Sequence, residues 1–157
     1  MKIVEKKLIE LKEYENNPRH NDGAVDGVAE SIKQFGFKVP IVIDTDGVII
    51  AGHTRRKAAE KLGLEVVPCI VADDLTPDQI KAFRLADNKT AELASWDFEK
   101  LEAELAELTA FDFDMSKFGF PENEENFDID GFFEDAEKKE KKQKTVVCPH
   151  CGEEFEV

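Results

Sequence analysis

The sequence predicts a compact α+β domain with a small mixed sheet and helices, followed by a helical segment and an acidic tail with a Cys-x-x-Cys knuckle. Three observations carry this prediction. Short β-branched runs alternate with segments whose apolar residues recur every three or four positions. Gly and Pro punctuate the junctions. Charge is divided along the chain: residues 1–96 hold 14 Lys+Arg against 16 Asp+Glu, and residues 97–157 hold 7 against 19. A nearly neutral body therefore precedes a strongly acidic remainder.

The elements follow in order. Leu8, Ile9 and Leu11 predict an opening strand, which Asn16-Asn17-Pro18-Arg19 breaks. Val25, Val28, Ala29, Ile32 and Phe35 share one face of a helix over 24–35, with Gly36 placed to end it and Gly27 weakening it. Val39–Ile43, Asp44-Thr45-Asp46-Gly47 and Val48–Ile50 read as strand, turn and strand. Ala51-Gly52 then opens a helix over 53–62 with Ala58, Ala59 and Leu62 on its packing side, and Gly63 stops it. Val66–Ala72 reads as a buried strand. Thr76-Pro77-Asp78-Gln79 is a capping-box start with Pro at the first helical position, and its helix carries Ile80, Phe83 and Ala86 or Asp87. Asp97–Leu108 is amphipathic, with Phe98, Leu101, Leu105 and Leu108 as a stripe suited to docking on the body and Trp96 as an anchor. The domains so read are 1–95, a helical extension 96–120, an acidic then Lys-rich linker 121–145, and a knuckle 146–157.

Composition excludes some classes. A formal net charge of −14 excludes a general basic nucleic-acid coat, though not a local basic patch. No apolar run approaches the roughly 18 residues of a membrane span. The first residues lack an apolar signal core, and three cysteines make no disulfide framework. A cytoplasmic protein without a membrane partner is the expectation.

The candidate chemistry lies at Gly52-His53-Thr54-Arg55-Arg56-Lys57. A strand that passes through Gly into a helix presents free backbone N–H groups, an anion site by geometry and dipole. Three cations in the first turn oppose the macrodipole unless they point away or share an anion. Phosphate binding and a solvated cationic helix face both satisfy these features.

Taken in order and spacing, Asn17-Pro18-Arg19, Val28–Ile32, Gly36, Pro40-Ile41-Val42, Ile49–Arg56, Ala58-Ala59, Leu62-Gly63 and Val67-Pro68 resemble the ParB N-terminal domain of the ParB/sulfiredoxin superfamily. The resemblance covers residues 3–94. It implies nucleotide binding by a Gly-Glu-Arg-Arg-like box, here Gly52-His53-Thr54-Arg55, in which Gly52 and Arg55 match. It also implies a second box, here Asp87-Asn88-Lys89-Thr90-Ala91, whose Asp87 and Asn88 offer oxygen ligands to Mg²⁺. Arg19 and Arg56 are secondary cations toward the phosphates. His53 stands where sulfiredoxins carry the catalytic Cys and a kinase branch carries an acidic base; Cys69, in an apolar strand, reads as packing. A His could act as base near neutral pH, but binding a phosphate or capping the helix is the simpler role.

Residues 88–97 and Phe111–Phe120 resemble the subgroup in which a ParB-like domain precedes a phage or mobile-element DNA methyltransferase. No methyltransferase motif and no ParB helix-turn-helix is found after them, so methylation and site recognition by this chain are not expected. The implied function is a protein that binds a nucleoside triphosphate, CTP or ATP, with Mg²⁺ and acts in DNA transactions, with slow nucleotide hydrolysis. The alternatives are a ParB-like nuclease or phosphotransferase using His53, and a non-enzymatic adaptor that recruits a DNA-modifying partner.

The tail adds Cys148-Pro149-His150-Cys151-Gly152, a zinc knuckle. Structural zinc takes four ligands and this chain offers Cys148 and Cys151. Zn²⁺ shared between two chains, and hence a homodimer, is the favoured reading; a partner's second pair and a metal-free turn remain open.

Overall fold

The computed structural model describes residues 2–120 and the backbone of two strands, Thr145–Val147 and Glu154–Glu156. Residues 1–120 and 121–157 are separate compact units. In the first, β1 (Ile3–Lys7), β4 (Val66–Val71), β2 (Ile41–Ile43) and β3 (Ile49–Ala51) form a mixed sheet in the order β1-β4-β2-β3. β4 runs antiparallel to β1 and parallel to β2, and β2 is antiparallel to β3. Four helices complete the unit: α1 (Val25–Phe35), α2 (His53–Lys61), α3 (Pro77–Ala91) and α4 (Phe98–Ala110).

Alternation along the strands decides which residues meet. Ile41 and Ile43 of β2, Ile49 of β3, and Val67 and Cys69 of β4 turn to one face and close on Ala59 of α2 and on Leu11. Burying an aliphatic side chain of this size contributes about 1.5–3 kcal/mol. In β3, Ile49, Ile50 and Ala51 are all buried, because α3 packs on this strand as well. The capping box at Thr76 is formed, with Gln79 N–H donating to Thr76 Oγ1 and Thr76 N–H donating to Gln79 Oε1.

Two expectations need correction. The opening strand is Ile3–Lys7, not Leu8–Leu11. Its charged residues are tolerated because β1 is an edge strand with one half-buried face, Val4 and Lys6. Leu8–Glu10 makes a 3₁₀ turn that drops Leu11 into the core, and Lys12 hydrogen-bonds beside the β2–β3 hairpin through Gly47 and Ile49. The second correction concerns α3. Its buried residue is Arg84, while Phe83 is 38% exposed. Ile80, Arg84 and Asn88, four residues apart, form the face turned to the body.

The helical extension packs through an intermediate. Phe98, Leu101, Leu105 and Leu108 of α4 are half-buried, and α4 meets the 3₁₀ turn Met115–Phe118, which lies on α1. Phe35 stacks on Phe113 at 6.4 Å and lies 5.8 Å from Phe118. A Cβ on Gly27 would lie 3.4 Å from the Lys117 carbonyl oxygen. Gly27 therefore sits at the contact between α1 and the Met115–Phe118 turn. Trp96 meets Phe120 edge-on at 6.1 Å and is 62% exposed.

In the second unit, β5 (Thr145–Val147) and β6 (Glu154–Glu156) pair antiparallel, Thr145 opposite Glu156 and Val147 opposite Glu154. Cys148 and Cys151, the predicted zinc ligands, and residues 121–144 of the predicted linker 121–145 lie outside the described residues.

Candidate nucleotide-binding cleft

A cleft of about 490 Å³ opens beside the strand-to-helix turn. Its walls come from the loop 17–21, one side of α1, the segment leading into β2, the turn at Gly52, and α3. Arg19, Gly52, His53, Thr54, Arg55, Asp87 and Asn88 all line it, so seven of the eight residues predicted around the nucleotide share one cavity.

Gly52 is the N-cap of α2 with φ 113° and ψ 25°. A Cβ there would stand 3.2 Å from Arg55 Nε, 3.3 Å from Arg55 Nη2 and 3.3 Å from Ile41 Cγ1. Glycine thus lets the Arg55 side chain fold back across the turn. Arg55 Nη1 donates to the carbonyls of Val39 at 2.9 Å and Pro40 at 2.8 Å. Burial lowers the Arg55 pKa and the nearby Asp87 carboxylate opposes that effect. The guanidinium therefore ties the start of β2 to the helix N-terminus and places its charge at the cleft.

The other helix-start cations are directed elsewhere, which corrects the reading of Arg56. Arg56 does not line the cleft; its Nη1 lies 3.0 Å from Glu13 and 3.0 Å from Glu60. Lys57 Nζ lies 2.7 Å from Asp22, and Lys61 Nζ 2.5 Å from Asp26, two rungs that join α2 to α1 and the turn before it. The Asp22 contact raises the Lys57 pKa, and the same contact lowers that of Asp22. The cations that opposed the macrodipole are thus matched by carboxylates, leaving Arg55 to face the cavity.

His53 is half-buried, and its Nε2 accepts from the Tyr14 backbone N–H at 3.4 Å. Burial depresses its pKa; Glu13 opposes that effect, and Arg84 and Lys57 add to it. The depressed pKa favours the neutral ring, which links the helix start to the loop after Leu11 through its Tyr14 contact. Cys69 is fully buried in the core and its thiol pKa is raised by burial, the opposite of what a nucleophilic thiolate needs.

At the far wall, Arg19 Nη1 donates to Asn88 Oδ1 at 2.8 Å and lies 3.8 Å from Glu92. Asn88 Nδ2 donates to the Arg84 carbonyl at 2.7 Å. Both ends of the Asn88 amide are therefore engaged, and its oxygen faces a guanidinium, a poor neighbour for a divalent cation. Asp87, exposed on the cleft wall, is the better oxygen ligand of the two. Among the described residues no group of three or more His, Cys, Asp or Glu gathers to hold a metal. Mg²⁺ at Asp87 would take its remaining ligands from phosphate and water.

Sequence reasoning missed Arg84. Its Nε donates to the Ile49 carbonyl at 3.2 Å, and its guanidinium lies 3.8 Å from the centroid of the Tyr14 ring. It pins α3 to β3 and so sets Asp87 and Asn88, one turn further on, at the cleft. A hint was present: Arg84 precedes Asn88 by four residues and falls on the same helix face.

Residues 2–89 match the family described as ParB N-terminal domain. The "ParB-like nuclease domain-containing protein YnaK" of Escherichia coli (strain K12) is 49% identical over 80 residues, spanning 50% of this chain and 92% of that protein. The crystal structure of the C-terminally truncated chromosome-partitioning protein ParB from Caulobacter crescentus, complexed with CTP-gamma-S, aligns with a TM-score of 0.58 and 22% identity over 74% of this chain and 68% of that one. Sulfiredoxin from Arabidopsis thaliana aligns with a TM-score of 0.44 and 26% identity, covering 53% of this chain and 97% of that one.

Proposed function

This chain belongs to the ParB N-terminal domain family and has its mixed α+β, ParB/sulfiredoxin-like fold, and from that premise we propose that the cleft binds a nucleoside triphosphate, CTP or ATP, with Mg²⁺. The observation that carries the reading is one cavity gathering a helix N-terminus opened by Gly52, the cations Arg55 and Arg19, and the carboxylate of Asp87. The backbone N–H groups of α2 and the Arg55 guanidinium receive phosphate oxygens. Arg19 approaches from the opposite wall, and Asp87 accepts the metal. The Caulobacter ParB structure holds a CTP analogue on the same fold, which supports this choice of ligand class.

The bound nucleotide acts as a switch in a DNA transaction, with slow hydrolysis and with DNA or a DNA-modifying protein as partner. Two chains joined by one Zn²⁺ at Cys148 and Cys151 would make the active form a dimer. Localisation in the cytoplasm accords with the three cysteines; among the described residues, no helix is long and apolar enough to cross a membrane.

Titration with CTP, ATP, ADP and GTP in the presence of Mg²⁺ tests the reading. Wild type binds a triphosphate, and Arg19→Ala weakens it by about tenfold, the usual effect of losing one charge-assisted phosphate contact. Arg55→Ala weakens it further, since the start of β2 is released as well. No triphosphate binding by wild type would overturn the proposal.

A second reading is favoured by the name of the Escherichia coli relative: Mg²⁺-dependent phosphodiester cleavage, with His53 as general base once substrate displaces the Tyr14 N–H from its Nε2. Nicking of supercoiled plasmid that Asp87→Asn and His53→Ala both abolish would establish it.

A further inference from the structure

Behind the cleft, the loop 14–18 and α3 enclose a second cavity of about 250 Å³. Arg84, Lys81 and His53 line it, together with the amide side chains of Asn16, Asn17 and Asn88. None of its lining residues is Asp or Glu, in a chain with 35 acids against 21 Lys and Arg.

Arg84 is the unusual member. It is 9% exposed, and its contacts are one carbonyl and one ring face. Burying a guanidinium without a carboxylate is unfavourable, and a single carbonyl uses only part of its donor fork. The remaining donors are bonded to no described residue, yet they are not sealed from solvent. Arg84 lines this cavity. A planar fork, a Lys in the lining and the amide side chains of three Asn match a tetrahedral oxyanion.

We propose that this cavity binds a phosphate-class anion, beside the phosphate region of the cleft and separated from it by the shared wall of Asn17, Ile50, His53 and Asn88. The anion has two sources with one chemistry: free inorganic phosphate, or the terminal phosphate of a nucleotide seated in the cleft. The cavity is far too small for duplex DNA. The site stands whether or not the cleft binds a nucleotide, because its donors belong to Arg84 and Lys81.

Inorganic phosphate titrated into the full chain, followed by calorimetry and by ³¹P NMR, is the direct test. Lys81 is exposed on α3, so Lys81→Gln leaves the fold intact. Free phosphate as the occupant requires binding by wild type, a loss of about tenfold in Lys81→Gln and a comparable loss in Arg84→Lys. A terminal phosphate as the occupant requires that Lys81→Gln weaken a triphosphate and leave the diphosphate unchanged. Two outcomes overturn the proposal: equal binding of phosphate and of triphosphate by wild type and Lys81→Gln, or phosphate binding that only Arg19→Ala or Arg55→Ala removes.

Discussion

Gly52 shows how much of the site depends on one missing methyl group. Its φ of 113° is strained for any side chain, and a Cβ would crowd both Arg55 and Ile41. Gly52→Ala should lose about 1–3 kcal/mol in urea denaturation, the usual cost of such a conformation. Nucleotide affinity should fall with it, because Arg55 loses its path across the turn. His53 makes a pH-dependent contribution. Its folded pKa is depressed below the ordinary 6.5, so below about pH 6.5 the unfolded chain takes up a proton that the folded chain refuses. Stability through His53 is therefore full above that pH and falls as acid approaches the depressed folded value. Urea midpoints at pH 7.5 and 5.5 should converge in His53→Asn relative to wild type. Both residues could be singled out from the sequence, since Gly before a helix start and a His within it are local signals. Arg84 could not: hydropathy counts a cation as exposed, and only the tertiary structure shows its fork over Tyr14 and beneath β3.

At the level of elements, regular patterns were readable and irregular ones were not. The Ala58-Ala59 face of α2, the stripe of α4 and the capping box of α3 follow from spacing alone, because each repeats a local period or motif. β1 escaped because an edge strand needs only every second residue apolar, and Ile3-Val4-Glu5-Lys6-Lys7 barely meets that. The role of Gly27 escaped because its partner lies about ninety residues away in sequence. The helix–turn contact makes an opposed pair of predictions. Gly27→Ala places a Cβ at 3.4 Å from the Lys117 oxygen, an ordinary contact, and should hold or raise stability by up to about 1 kcal/mol through helix propensity. Gly27→Val overpacks the same spot and should lose about 1–3 kcal/mol while loosening Phe113 and Phe118 from Phe35. Thermal melts rank the three proteins, and hydrogen exchange over 111–120 reports the loosening.

For the molecule as a whole, the division of charge bears on partners. Removing residues 121–157 deletes 12 Asp+Glu and 5 Lys+Arg, so the net charge rises from −14 to −7. Because residues 1–120 form a compact unit, that truncation should keep the midpoint of thermal unfolding within a few degrees. It should also strengthen any DNA binding at low salt and steepen its salt dependence, as less acid competes with phosphate for the cations. A gel-shift series at 50 and 200 mM salt, with both proteins, checks this. The strand order β1-β4-β2-β3 also sets a timetable for synthesis. The β2–β3 hairpin closes locally, but Ile3–Lys7 has no partner until Val66–Ile70 has been made, some sixty residues later. On a ribosome, the first strand waits unpaired while almost the whole sheet emerges behind it. The charges of Glu5, Lys6 and Lys7 keep that waiting edge from pairing with the wrong neighbour.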